Sequence, residues 1–90
     1  MTDSYLDGNA LAGPLGEIFT VDITVARSRC AGCGQTGPVA ALRVYAQAPG
    51  LVARCAGCDE VVLRVVRDPA GAWLDLRGSF SLRIPLPSAE

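Results

Sequence analysis

Short apolar runs alternate with turn-forming residues along this chain, and the spacing of the apolar positions changes as it proceeds. Over residues 6–19, Leu11, Leu15, Ile18 and Phe19 recur at the intervals of one helix face. Asp7 stands in front of them as an N-cap, with Gly8-Asn9 as a soft start. Pro14 forbids a long undisturbed helix, so either two helical pieces meet at Gly13-Pro14 or one helix kinks there. The stripe predicts an amphipathic lid over the rest of the chain, the other use of such a face being a docking helix for a partner.

Beyond residue 20 the period falls to two. Val21, Ile23 and Val25 alternate with Asp22, Thr24 and Ala26, which predicts a strand. Further strands are expected over Val39–Tyr45, Leu51–Arg54 and Glu60–Arg67, with Pro49-Gly50 turning the chain between the first two. The run EVVLRVVR is β-branched and apolar on both faces except at Arg64, so it belongs inside a sheet, covered on both sides. Asp68-Pro69-Ala70-Gly71 is a turn. After it, Trp73–Leu76 and Phe80–Ile84 alternate around Gly78, the expected bend or bulge. Leu74, Leu76, Phe80, Leu82 and Ile84 fall on one side, and Trp73, Asp75, Arg77, Ser79, Ser81 and Arg83 on the other. Residues 85–90 read as a loose tail. The prediction is one domain over residues 1–90: a helical lid (6–19), then a ribbon and small antiparallel sheet (21–84), mainly β.

Four cysteines punctuate this pattern as C-x2-C-x21-C-x2-C: Cys30, Cys33, Cys55 and Cys58. Each pair sits in the same pentapeptide, Arg-Cys-Ala-Gly-Cys, at residues 29–33 and 54–58, a likeness that points to internal duplication. Leu42-Arg43-Val44 and Leu63-Arg64-Val65 extend it, so two similar arms related by a pseudo-twofold axis are expected. Two matched C-x-x-C hooks in one chain read as a four-thiolate metal site, with all four cysteines as ligands. A tight turn between ligating cysteines brings both sulfurs within about 2.3 Å of one ion. Gly32 and Gly57 suit that turn, and Gly34 and Asp59 follow each hook where a positive φ is useful. Zinc, one ion per chain, is the default for a tetrahedral S4 site, and iron is the competitor. Four thiolates against a divalent ion take the chain's formal −1 to −3, an excess that Arg29 and Arg54 are placed to offset. Full sulfur coordination leaves no open position, so the expected metal is structural.

Composition bounds the rest. Half of the 90 residues are hydrophobic and 19% are charged, which excludes intrinsic disorder. A chain this short buries little more apolar surface than ordering it costs, so a metal supplies the missing stability. No apolar stretch is long enough for a membrane span, and the N-terminus lacks a secretion signal. The expected location is the cytoplasm, whose reducing conditions keep thiols free. There is no histidine, the usual near-neutral base, and the carboxylates Asp59, Glu60 and Asp75 are scattered, so no enzyme is expected.

The chain resembles a family of short uncharacterised bacterial zinc-ribbon proteins, a domain of unknown function with two C-x-x-C knuckles. The residues that carry the likeness are Leu6-Asp7-Gly8-Asn9-Ala10-Leu11-Ala12-Gly13, Cys30-Ala31-Gly32-Cys33-Gly34, Val44-Tyr45, Ala48-Pro49-Gly50, Arg54-Cys55, Cys58, Leu63-Arg64 and Trp73-Leu74-Asp75-Leu76-Arg77-Gly78. The resemblance implies a zinc ribbon and transfers no activity. Three functions compete. A non-enzymatic adaptor that binds another protein or itself suits an apolar chain with exposed strand edges. A rubredoxin-like electron carrier would use iron on the same cysteines. A nucleic-acid binder would need Arg43, Arg64, Arg67, Arg77 and Arg83 to share one strip, against a net charge with no excess of positive charge.

Overall fold

The computed structural model describes residues 5–47 and 50–86. Two antiparallel sheets and a short N-terminal helical segment make up the fold, as the mainly β reading expects. Strand β1 (Leu6–Asp7) leads into a 3-10 turn, Gly8–Leu11, which continues as the α-helix α1, Ala12–Gly16. The Asp7 carboxylate caps this segment, accepting from the Asn9 N–H at 3.0 Å. Pro14 sits in the first turn of α1, where its missing N–H costs nothing, and the change from 3-10 to α happens just before it. Leu11 and Leu15 are fully buried, so the segment is a lid over the core. It is shorter than the predicted 6–19. Leu6 pairs as a strand residue, while Ile18 and Phe19 lie beyond the helix.

The strand predicted over Val21–Ala26 does not form. Asp22 accepts from both the N–H and the hydroxyl of Thr24, at 3.0 and 2.6 Å, and this local capping winds Ile23–Val25 into a 3-10 turn. Extended chain starts only at β2, Arg27–Cys30. A second correction concerns Val39–Tyr45. Here β3 (Thr36–Pro38) ends in a 3-10 turn, Val39–Ala41, and β4 begins at Arg43 and runs to Gln47. The Val39 N–H donates to the Ala26 carbonyl, and that of Leu42 to Val39. This bend buries Val39 and carries the chain from one sheet to the other.

The larger sheet has the order β1-β4-β5-β6-β7, with β5 at Gly50–Arg54, β6 at Val61–Asp68 and β7 at Gly71–Asp75. The predicted Pro49-Gly50 turn falls partly outside the described residues, with Gln47 and Gly50 paired across it. The Asp68 turn forms as predicted, its carboxylate accepting from the N–H groups of Ala70 and Gly71 at 2.8 Å each. The smaller sheet has the order β3-β2-β8, with β8 at Ser79–Arg83. The two strands around Gly78 therefore belong to different sheets.

Register decides which side chains are buried. Val44, Ala53, Leu63 and Val65 share the face under the lid. On β6 the pairing slips between Ala53–Leu63 and Arg54–Val61, leaving Val62 as the extra residue of a bulge. Two consecutive residues, Val62 and Leu63, are thereby both buried, so only this stretch of β6 is covered on both sides. On β8 the same slip, between Arg29–Ser81 and Cys30–Ser79, makes Phe80 the extra residue. Phe80 is turned outward to 71% exposure instead of joining Leu82 and Ile84 against the core. No helix among the described residues is long and apolar enough to cross a membrane.

Gly78 ties these parts together. A methyl group at its Cα would fall on the Val61 carbonyl oxygen, beside the β6 bulge, and its own carbonyl accepts from Ala31. Gly78→Ala should therefore lower unfolding free energy by about 2 kcal/mol or more. Gly16→Ala, where nothing lies within 4 Å, should raise it by about 0.5–1 kcal/mol through helix propensity. Denaturant titration of the two variants checks both signs.

Candidate metal centre

Two hairpins deliver the cysteines. In the first, β2 ends at Cys30 and β3 leaves at Thr36; in the second, β5 ends at Arg54 just before Cys55, and β6 leaves at Val61. The hooks between them match bond for bond. Cys30 N–H donates to the Gln35 carbonyl at 2.9 Å, and Cys55 N–H to that of Glu60 at 2.8 Å. Gly34 and Asp59 each donate 2.9 Å back to the carbonyl of the first cysteine. The N–H groups of Gly32 and Gly57 each point at that cysteine's sulfur from 3.3 Å. Gly34 (φ 79°) and Asp59 (φ 66°) hold the left-handed conformation expected after each hook.

The N–H groups of Gly32 and Gly57 point at sulfur as expected, with no positive φ at either glycine. What each gives besides is space. A Cβ on Gly57 would run into the Gln35 side chain, and one on Gly32 would lie 3.1 Å from Glu60 Cγ. Each hook thus lays the second residue after its last cysteine over the glycine of the other. Sequence reasoning missed Gln35 and Glu60, although their matching positions behind the duplicated pentapeptide were visible. The proposed extension of the repeat fails. Leu42-Arg43-Val44 enters β4, whereas the segment equivalent to the start of β6 is β3.

All four predicted cysteines meet. Their sulfurs lie within 4.8 Å of one another, with Cys30 and Cys58 at 3.6 Å and Cys33 and Cys55 at 3.7 Å. A regular tetrahedron of sulfurs about 2.3 Å from a central ion has edges of about 3.8 Å. The separations fit a shared cation and far exceed the about 2.05 Å of a disulfide, and all four thiols are free. The first cysteine of each hook is buried; Cys58 is half-buried and Cys33 exposed.

The ionisation of the cluster follows from its crowding. Burial pushes the Cys55 thiol up, but hydrogen bonds from Cys58, Gly57 and the neighbouring sulfurs outweigh it and bring the pKa down to about 7. At Cys58 the Glu60 backbone favours the thiolate, yet desolvation and the sulfurs of Cys30, Cys33 and Cys55 together push the pKa up to about 12. Cys55 thus ionises readily while Cys58 holds its proton, and a bound cation would favour the thiolate at both. Arg29 and Arg54 precede the first cysteine of each hook, and each spreads its guanidinium over an aromatic ring, Phe80 at 5.2 Å and Tyr45 at 5.9 Å. Arg54 also donates to the Asp59 carbonyl at 2.9 Å, which holds the second hook's left-handed residue in place.

The five arginines weighed as one strip are dispersed. Arg43 and Arg64 share the outer face of the larger sheet, while Arg67 lies on the opposite face against Glu17 at 3.2 Å. Arg77 grips Asp75 at 2.7 Å and holds its carboxyl below the usual range, and Arg83 is in the smaller sheet opposite Arg27.

Residues 2–87 match a family of unknown function, DUF6510. The chain belongs to this family. No curated protein and no solved structure matches it. The family thus identifies the chain as a whole, and the four-sulfur cluster is what its geometry adds.

Two outcomes follow. Asp59→Gly should stabilise the fold by about 1 kcal/mol, since glycine holds the left-handed conformation without strain, while Gly34→Ala should cost about as much; thermal unfolding of the metal-loaded variants checks this. Because a cation must displace the protons that the cluster retains near pH 7, metal affinity should fall by at least about tenfold per pH unit from pH 8 to 6. Competition with a chelating indicator measures it.

Proposed function

We propose that this protein is a bacterial zinc ribbon of the reducing cytoplasm. In this reading one structural Zn²⁺ sits on Cys30, Cys33, Cys55 and Cys58, and the folded domain is a non-enzymatic adaptor for another protein. The observation that carries the metal assignment is the convergence of four sulfurs from two matched hooks at tetrahedral spacing. Four sulfurs complete the coordination of zinc and leave no position for water or substrate, so the ion acts by holding the hairpins together. Binding of a structural zinc is worth about 10–16 kcal/mol, a large share of the stability of so short a chain.

The carboxylates support a role without chemistry. Asp7 and Asp22 cap 3-10 turns, Asp68 holds the β6–β7 turn, and Asp75 and Glu17 pair with arginines. The docking part of the reading rests on apolar surface. Trp73 and Phe80, both 71% exposed, stand on β7 and β8, each an edge strand of its sheet. Iron on the same sulfurs, with electron transfer as the function, is the competing reading, favoured by the matched N–H···S bonds at Cys30 and Cys55.

Metal analysis of untagged native protein tests the assignment. A colourless protein with one zinc per chain, unfolded by a chelator, is expected. A red protein with a reversible one-electron couple would replace zinc with iron. Substituting Cys55 by Ser should abolish stoichiometric metal binding and the cooperative thermal transition together. A protein that retains no partner of any kind at physiological concentration would end the adaptor reading and leave the metal assignment standing.

A further inference from the structure

The free edge of β7 is lightly guarded, its one charged residue being Asp75 at the end of the strand. Natural sheets protect their outermost strands with lysines, prolines, inward charges or bulges. Here the edge reads Gly71-Ala72-Trp73-Leu74-Asp75, regular in register with β6 along its whole length and with no neighbour on the other side among the described residues.

The register also fixes which backbone groups face outward. Asp68 and Gly71 pair across a two-residue turn, a geometry that only a hydrogen-bonded pair can adopt. Bonded and non-bonded pairs then alternate, so Trp73 and Asp75 direct their amide and carbonyl groups at β6. Ala72 and Leu74 point theirs off the sheet. Two donors and two acceptors stand there in a row.

We propose that β7 pairs edge to edge with β7 of a second copy of this chain, about a twofold axis at Trp73, joining two five-stranded sheets into one. This names a partner for the docking function proposed above and rests on that reading. An antiparallel register that sets Ala72 opposite the second copy's Leu74 uses all the outward groups at once, giving four hydrogen bonds. Pairing Ala72 with Ala72, or Leu74 with Leu74, would use only half of them. In the favoured register Trp73 faces its own copy at the non-hydrogen-bonded position, where side chains approach most closely.

The indole is prepared for that contact. Its N–H donates to the Asp68 carboxylate at 3.0 Å, which fixes the ring while leaving it 71% exposed. A groove of about 370 Å³ beside it, lined by Arg64, Val66, Leu74, Asp75, Leu76 and Arg77, offers apolar surface to a second indole, the Arg77 guanidinium being held by Asp75. The pairing is isologous: one patch supplies both halves and closes at two copies.

The test uses the metal-loaded full chain and two measurements. Light-scattering mass should rise from 9.3 kDa toward twice that value between about 1 µM and 1 mM, the range expected of a small interface. Emission of the single tryptophan should shift to the blue over the same range, because Trp73 is the only indole in the chain. Ala72→Pro removes an N–H that the monomer leaves unused, so metal content and circular dichroism should persist while the dissociation constant rises at least about tenfold. Trp73→Lys places like charges at the axis and should give a monomer throughout, which decides the matter should the proline variant lose metal. A mass of 9.3 kDa at every concentration, or a dimer that survives both substitutions, overturns the proposal. Should the protein stay monomeric yet hold a different protein stoichiometrically, this proposal falls and the adaptor reading stands. A dimer abolished by both variants, with no other partner bound, limits docking to self-association.

Discussion

Four sulfur atoms drawn from two hairpins occupy a space only 4.8 Å across, and the remaining architecture is arranged around that crowding. Such a cluster is poor at holding its own negative charge: Cys55 ionises easily, and Cys58 is driven far the other way by its neighbours. A divalent ion removes the conflict, because it neutralises charge where the sulfurs meet and replaces the water they have lost. The cluster also links the two sheets, since β2 of one and β5 of the other each lead into a hook.

Duplication in the sequence becomes near-identity in the structure only at the hooks. There the same backbone bonds, the same N–H···S contacts and the same left-handed residue recur, and each hook rests a side chain on the glycine of the other. Beyond them the arms diverge. The first leaves through a three-residue strand and a 3-10 turn; the second leaves through β6, eight residues long and central to the core. The hooks are constrained by coordination geometry, whereas the arms are free to serve different sheets.

The cluster, the mainly β architecture, the capped lid and the Asp68 turn were legible because each depends on local chemistry: cysteine spacing, alternation, a carboxylate ahead of free N–H groups. The misread segments are those where local bonding and period two disagree. Asp22-Ile23-Thr24 alternates like a strand, yet one carboxylate with two bonds to Thr24 winds it. Val39 heads an apolar run that also reads as a strand, but its burial depends on a bend whose partner, the Ala26 carbonyl, is distant in sequence. The outward turn of Phe80 comes from a register slip against β2, a long-range event that no spacing along β8 reveals. Gly78 was identified as a bend, but not as the place where the chain changes sheets.

That glycine has a mechanical consequence. It follows β7 closely, abuts the Val61 carbonyl ahead of the β6 bulge, and accepts from Ala31 inside the first hook. The first hook, the start of β6 and the exit from β7 therefore meet at one backbone position. A shift of Ala31 or of Val61 has to be accommodated there, where the packing leaves no room for a side chain.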